Sequence, residues 1–317
     1  MKRMGMLSKG LAIVAALGLA AGLAFGGPLF GEKFEEKFAK TEALAKDGKV
    51  IINNVSGTVQ IKSGTQDQVQ IDAVKVCNVS TEAKAKENMA LVTIEVTKNG
   101  NIVQIETKYP EKVKNLNVSV NYVLTIPAMA SIKVRNVSGS VDAADIGGMF
   151  EGNVTSGKVI LARIGGGVDC QVVSGGLQVS DIKGDVDLKT VSGNITASKI
   201  RGSIDAETTS GNVTLTEISE PKTVRAKVLS GKIGYDGQIV AGGKYGFDAL
   251  SGSIIVTIPA SAGFELEAET FSGSINTDFA VTMQGKIDRK EVRGVVNNGG
   301  AALRIKAFSG SIEIKKK

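Results

Sequence analysis

Two neighbouring blocks decide the fold: Gly175-Gly-Leu-Gln-Val-Ser-Asp-Ile-Lys183 and Gly184-Asp-Val-Asp-Leu-Lys-Thr-Val-Ser192. Each is nine residues long and opens on glycine. The same phase holds through residues 139–219, where glycine opens nine successive blocks. A fixed short period marks a repeat architecture. Counted from its glycine, position 3 is always Val, Leu, Ile or Phe. Positions 3, 5 and 8 together hold 27 residues, of which 24 are apolar. Positions 3 and 5 share the period of two that places side chains on one face of a strand. Position 4, between them, is mostly Asp, Glu, Gln or Thr. Glycine at this frequency excludes a helix. All three apolar positions are therefore expected in the core.

Alternate blocks differ, so the unit is 18 residues. Five blocks end in Ile plus one further residue (Ile146, Ile164, Ile182, Ile200, Ile218); the four between them end in Ser (Ser156, Ser174, Ser192, Ser210). One unit predicts one coil of an all-β, parallel β-solenoid (β-helix), with a strand on each side and glycine at each corner. Glycine suits a corner because it takes positive φ cheaply. Each coil buries its apolar row only against its neighbours. The register carries an internal check. Position 7 of the Ile-ending blocks reads Asp145, Arg163, Asp181, Lys199, Glu217, so stacked coils place opposite charges side by side. Exposed pairs of this kind contribute about 0.2–1 kcal/mol each.

The 317-residue chain is poor in aromatics, lacks Trp and His, and has 39 glycines. Its net charge of +6 resides in Lys2, Arg3 and Lys9 at one end and in residues 315–317 at the other. Everything between is balanced, and no basic face with interleaved aromatics emerges, which argues against nucleic-acid binding. Residues 1–26 read as a signal peptide: a basic start, an apolar run over 11–25, and small Ala24 and Gly26 before the cleavage point. The alternative is an uncleaved N-terminal anchor, the sole expected contact with a membrane. Either reading places the protein outside the cytoplasm, in the periplasm, in the envelope or secreted. Residues 27–47 are a lead-in or linker in which Phe34, Phe38 and Leu44 suit one side of a helix or an extended piece equally well.

Residues 48–135 form a less regular N-terminal β region. Its strands alternate over 92–96, 102–107 and 118–126, and Asn99-Gly100 is a hairpin turn. The polar piece over 80–89 reads as a loop or short helix. Residues 136–219 are the regular solenoid. Over 220–317 Ser-Gly recurs at Ser230, Ser251, Ser272 and Ser309, which predicts a C-terminal solenoid of coils up to 21 residues long. The longer final interval contains Asn297-Asn298-Gly299-Gly300, and a protruding hairpin is expected there.

The lead-in Phe38-Ala39-Lys40-Thr41, the Asn54-Val55-Ser56-Gly57 opening, the Ile126-Pro127 strand and the recurring Ser-Gly-x-Val/Ile resemble the DUF4097 family over residues 35–315. Members of that family are described as adhesins of bacterial cell envelopes. The resemblance implies a β-solenoid, an exported location and a surface role; it carries over no catalytic or binding residues.

The chemistry points away from an enzyme. Without His, Ser-His and Cys-His nucleophile pairs cannot form, and the serines read as a ladder of corner hydroxyls. Cys170 sits at inward position 5, where a small buried hydrophobe is expected; Cys77 lies outside the regular coils, and a disulfide between the two is not expected. No cofactor is expected. One column is a candidate for weak Ca²⁺ binding: Glu151, Asp169, Asp187 and Asp205, each at position 4 and 18 residues apart, with carboxylate oxygens of the type calcium takes. The competing reading is a solvated face relieved by Lys189. The expected function is a non-enzymatic envelope or surface protein, an adhesin whose partner is a glycan or protein of a cell surface. A carbohydrate-binding or carbohydrate-cleaving β-helix and a self-assembling envelope scaffold are the alternatives.

Overall fold

The computed structural model describes residues 32–111, 116–283 and 290–317. The signal or anchor expected at 1–26 lies outside the described residues. The chain forms a two-sided β-solenoid built of two 13-stranded sheets around one continuous core. Strands ending in Ser, such as Phe150–Ser156, Val168–Ser174 and Val186–Ser192, stack in parallel in one sheet. Strands ending in Ile, such as Val159–Ile164, Leu177–Ile182 and Ile195–Ile200, stack in the other. The register is the 18-residue step, with Phe150 against Val168 and Val168 against Val186. Corner glycines are obligatory where coils touch. Gly175 has φ 144°, and a Cβ there would overlap the carbonyl oxygen of Gly157 in the coil beneath.

The inward face differs from expectation in half of the blocks. In Ile-ending blocks positions 3, 5 and 8 are buried, as at Leu177, Val179 and Ile182. The skip from 5 to 8 works because position 7 is left-handed: Asp145, Arg163, Asp181, Lys199 and Glu217 have φ between 53° and 62°. That residue flips the alternation and points its own side chain outward. Ser-ending blocks contain no such residue, so strict alternation continues and positions 3, 5 and 7 face in. Val154, Val172, Thr190 and Thr208 are buried, whereas position 8 is exposed at Thr155, Val173, Val191 and Thr209.

Both ends of the solenoid are threaded out of chain order. The first coil (Lys49–Ser56, Val59–Gly64) lies between the coil of Ser131–Ser138 and Val141–Ile146 and the strands Ile102–Lys108 and Val118–Pro127. The last coil (Ala301–Ser309, Ile312–Lys316) lies between Lys244–Ser251 with Ile254–Ile258 and Phe264–Ser272 with Ile275–Thr277. Among the described residues, the turn over 297–300 does not close the protruding hairpin expected there. The turn at 297–300 joins Glu291–Val296 to Ala301–Ser309, but these two strands do not pair, because both flank Phe264–Ser272, antiparallel on one side and parallel on the other.

Each end is closed. The lead-in is a 12-residue strand, Glu32–Ala43, antiparallel to Gln68–Val79, rather than a linker. The piece over 80–89 is the helix Glu82–Ala90, capped by Thr81 and burying Ala85 and Met89. At the other end Phe279 packs edge-on against Phe264 under Lys316. The longer coils make room for aromatic filling: Tyr235 and Phe247 lie 5.2 Å apart. Burial of hydroxyls requires partners. Tyr235 Oη donates to the Gln238 carbonyl at 2.6 Å, and Tyr245 Oη donates to that of Pro221 at 2.8 Å.

Candidate docking surface

The unbroken alternation of the Ser-ending strands turns outward an apolar position that was expected in the core. Position 8 of every such strand points outward, directly before the Ser-Gly corner. In spatial order the column starts with Val55, Val137, Thr155, Val173 and Val191. It continues with Thr209, Leu229 and Leu250, and ends in Phe308 and Phe271. Val173 and Val191 are 52% and 53% exposed, Leu229 and Leu250 48% each, Phe308 54% and Phe271 72%. Nine inter-strand steps of about 4.8 Å make a ridge about 43 Å long. Single exposed apolar residues need no explanation, but Val55, Val137, Val173, Val191, Leu229, Leu250, Phe308 and Phe271 in one line, interrupted only by Thr155 and Thr209, form an apolar stripe that makes this face the candidate contact surface. The last two rings stack, with centroids 4.8 Å apart and planes 5° apart.

The ridge is rigidly founded. Beside it the serine backbones are already paired, each carbonyl accepting from the glycine N–H of an adjacent coil, as in Gly157 to Ser174 at 3.0 Å and Gly193 to Ser210 at 2.9 Å. Beneath it, buried amides and hydroxyls at position 7 hold the corner carbonyls. Asn136 Nδ2 donates to Gly139 at 2.9 Å and to Gly57 at 3.2 Å. Thr208 Oγ1 donates to Gly193 at 3.1 Å. The serine hydroxyls remain exposed as a polar rail along the ridge. The signal is present in the sequence as the recurring Val/Thr/Leu/Phe-Ser-Gly, but an apolar repeat reads first as core.

The acidic column is in register as expected, Glu151 against Asp169, Asp169 against Asp187 and Asp187 against Asp205. Its members are not gathered into one site. Glu151 is clamped by Lys49 and Lys133, each at 2.6 Å, and the two ammonium groups hold its carboxyl below the usual range. Asp187 pairs with Lys189 at 2.9 Å. Asp205 has Arg225 only at 3.7 Å, and burial pushes its carboxyl up. Among the described residues no group of three Asp, Glu or Cys side chains is placed to hold a metal. In the alternating charge column only Asp145 and Arg163 come within ion-pair distance among the described residues; Asp181, Lys199 and Glu217 instead line the rim of an open depression of about 620 Å³. Both cysteines are buried and free.

The Ser-Gly ladder matches the family model named Toastrack DUF4097 over residues 48–315. The chain belongs to the DUF4097 family. This Toastrack chain is also similar to solved structures, at identities that speak only to fold. One is a putative adhesin from Bacteroides fragilis (11% identity, covering 88% of this chain and 97% of that one, TM-score 0.43). Another is a putative adhesin from Parabacteroides distasonis (10% identity, 88% and 97%, TM-score 0.39). A third is a putative cell adhesion protein from Clostridium sporogenes (13% identity, 89% and 100%, TM-score 0.23). No curated protein matches the sequence.

Proposed function

We propose that this DUF4097 protein is an exported, non-enzymatic envelope or surface protein that works by binding, an adhesin whose contact surface is the apolar ridge. The observation that carries this reading is the ridge itself: ten outward side chains in one line, with a polar rail beside them. A catalytic reading lacks parts, since the chain has no His and, in the acidic column, Glu151 and Asp187 are paired with lysines. End-to-end scaffold assembly is disfavoured by the closed ends, each carrying an antiparallel strand and a plug. The glycan reading draws on Phe271, whose exposed ring offers the apolar face on which sugar rings stack. The partner is then a component of a cell surface or envelope, and the location is extracytoplasmic.

Cell fractionation combined with surface protease digestion tests this. The chain should appear in the envelope or outside the cell and be cut on intact cells or spheroplasts. Recovery of intact, Met1-initiated protein in the cytoplasm would overturn the proposal.

A further inference from the structure

The ridge has three properties that select its partner. The first is its period. It presents one side chain per coil, about every 4.8 Å, and an occupant lying along it must carry the same repeat. A second copy of this ridge does. The second is its order of sizes. Val55 and Val137 stand at one end, Phe308 and Phe271 at the other. An antiparallel pair sets Phe271 against Val55 of the second copy, Phe308 against Val137, and Thr209 against Val191. Large faces small at the ends, and volume is filled evenly. A parallel pair sets phenylalanine against phenylalanine and leaves a gap along the valines.

The third property is charge. The outward column next to the ridge carries Lys189 and Glu207 on adjacent coils at its midpoint, each also paired within its own chain, Lys189 to Asp187 at 2.9 Å and Glu207 to Lys227 at 3.3 Å. A two-fold axis at that midpoint sets Lys189 of each copy against Glu207 of the other, opposite charges at the centre of an isologous contact. The like pair brought together, Arg135 and Lys306, falls toward the open ends, and Lys306 is already matched by Glu269 at 2.9 Å. The ridge with one residue column on either side is a strip of about 43 by 14 Å. It would cover about 600 Å² per copy and about 1,200 Å² per pair, the lower bound of a specific interface.

We propose that the ridge binds the ridge of a second copy of this chain, antiparallel, about a two-fold axis between Val191 and Thr209. This names the partner of the surface proposed above and rests on that surface being a contact site. It does not rest on export, which fractionation scores separately.

Cysteine cross-linking of the full chain in its own cells tests the pairing and its direction. The two natural cysteines are buried and leave a maleimide no target. In an antiparallel pair position 55 of one copy meets position 271 of the other, while the two copies of either position lie at opposite ends. The double variant Val55→Cys with Phe271→Cys should give dimers with a short bismaleimide, and each single variant should not. Adding Phe308→Asp should abolish the dimer and leave the melting curve in place, because that side chain is exposed. Cross-linking of Val55→Cys alone would mean parallel pairing and overturn the proposal. So would failure of the double variant to cross-link, capture of a different protein, a ladder of higher species, or a dimer that survives Phe308→Asp.

Discussion

Phe271 and Phe308 stack face to face, 4.8 Å between centroids, although the strands Ile275–Thr277 and Glu291–Val296 lie between them in the chain. The contact exists because the last coil is slotted in beneath the coil that precedes it in sequence. Ala301–Ser309 is thus a central strand, paired on both sides, and its inward residues carry the closure of the C-terminal end.

Truncation within that strand should separate core from ridge. Ile305 is fully buried, and Ile305→Ala should cost about 2–5 kcal/mol in urea unfolding. Phe308→Ala, three residues on but outward, should stay within about 1 kcal/mol. Similar losses from both would refute the central placement of the coil.

The corrected face assignment is checked by adjacent residues. Val172 is 2% exposed and Val173 is 52% exposed. Val172→Asp buries an unpaired carboxylate and should cost more than about 4 kcal/mol or abolish folding. Val173→Asp should fold and melt nearly as the parent does. A reversed order would restore position 8 to the core.

Corner glycines and strand glycines should respond oppositely. Gly175→Ala forces a Cβ into the Gly157 carbonyl at φ 144°, and backbone strain alone accounts for about 1–3 kcal/mol. Gly234 has open space where its Cβ would lie, and Gly234→Ala should be neutral or stabilise by about 0.5–1 kcal/mol. Thermal or urea melts of the two variants decide the point.

Two acids of one column should titrate stability in opposite directions. Glu151 has its folded pKa lowered by Lys133 and Lys49. Its contribution is therefore full above its ordinary value of 4.5 and is lost as pH falls through the lower folded value. Asp205 has its folded pKa raised, chiefly by burial, so its charge opposes folding above that pKa and the penalty lifts as pH falls. At pH 7 Glu151→Gln should lower the melting temperature, and Asp205→Asn should hold or raise it. Millimolar calcium should leave the melt where a chelator does, because the carboxylates that could bind it are held by lysines or stand apart. A calcium-dependent rise that Asp187→Asn removes would reinstate the column as a cation site.

The coil itself was legible in the sequence. A nine-residue glycine period, apolar positions 3 and 5, and the Ser/Ile alternation are local signals, and local alternation alone requires a two-strand coil with an inward row. Cys170 in the core follows from the same rule. Three things required the tertiary structure. One left-handed residue per Ile-ending strand shifts the alternation; Asp145 and Asp181 are of a type that tolerates that conformation, but Arg163, Lys199 and Glu217 at the same position are not, so the column as a whole does not announce it. The ridge follows from its absence in the other strands, so an apolar repeat that reads as core is in fact half surface. The order of the terminal coils was also hidden. Every Ser-Gly coil presents nearly the same edge, so the repeat does not specify which coil stacks on which. That choice falls to long-range pairing at the two ends, where antiparallel strands, with a helix at one end and an aromatic plug at the other, fix the place of the first and the last coil.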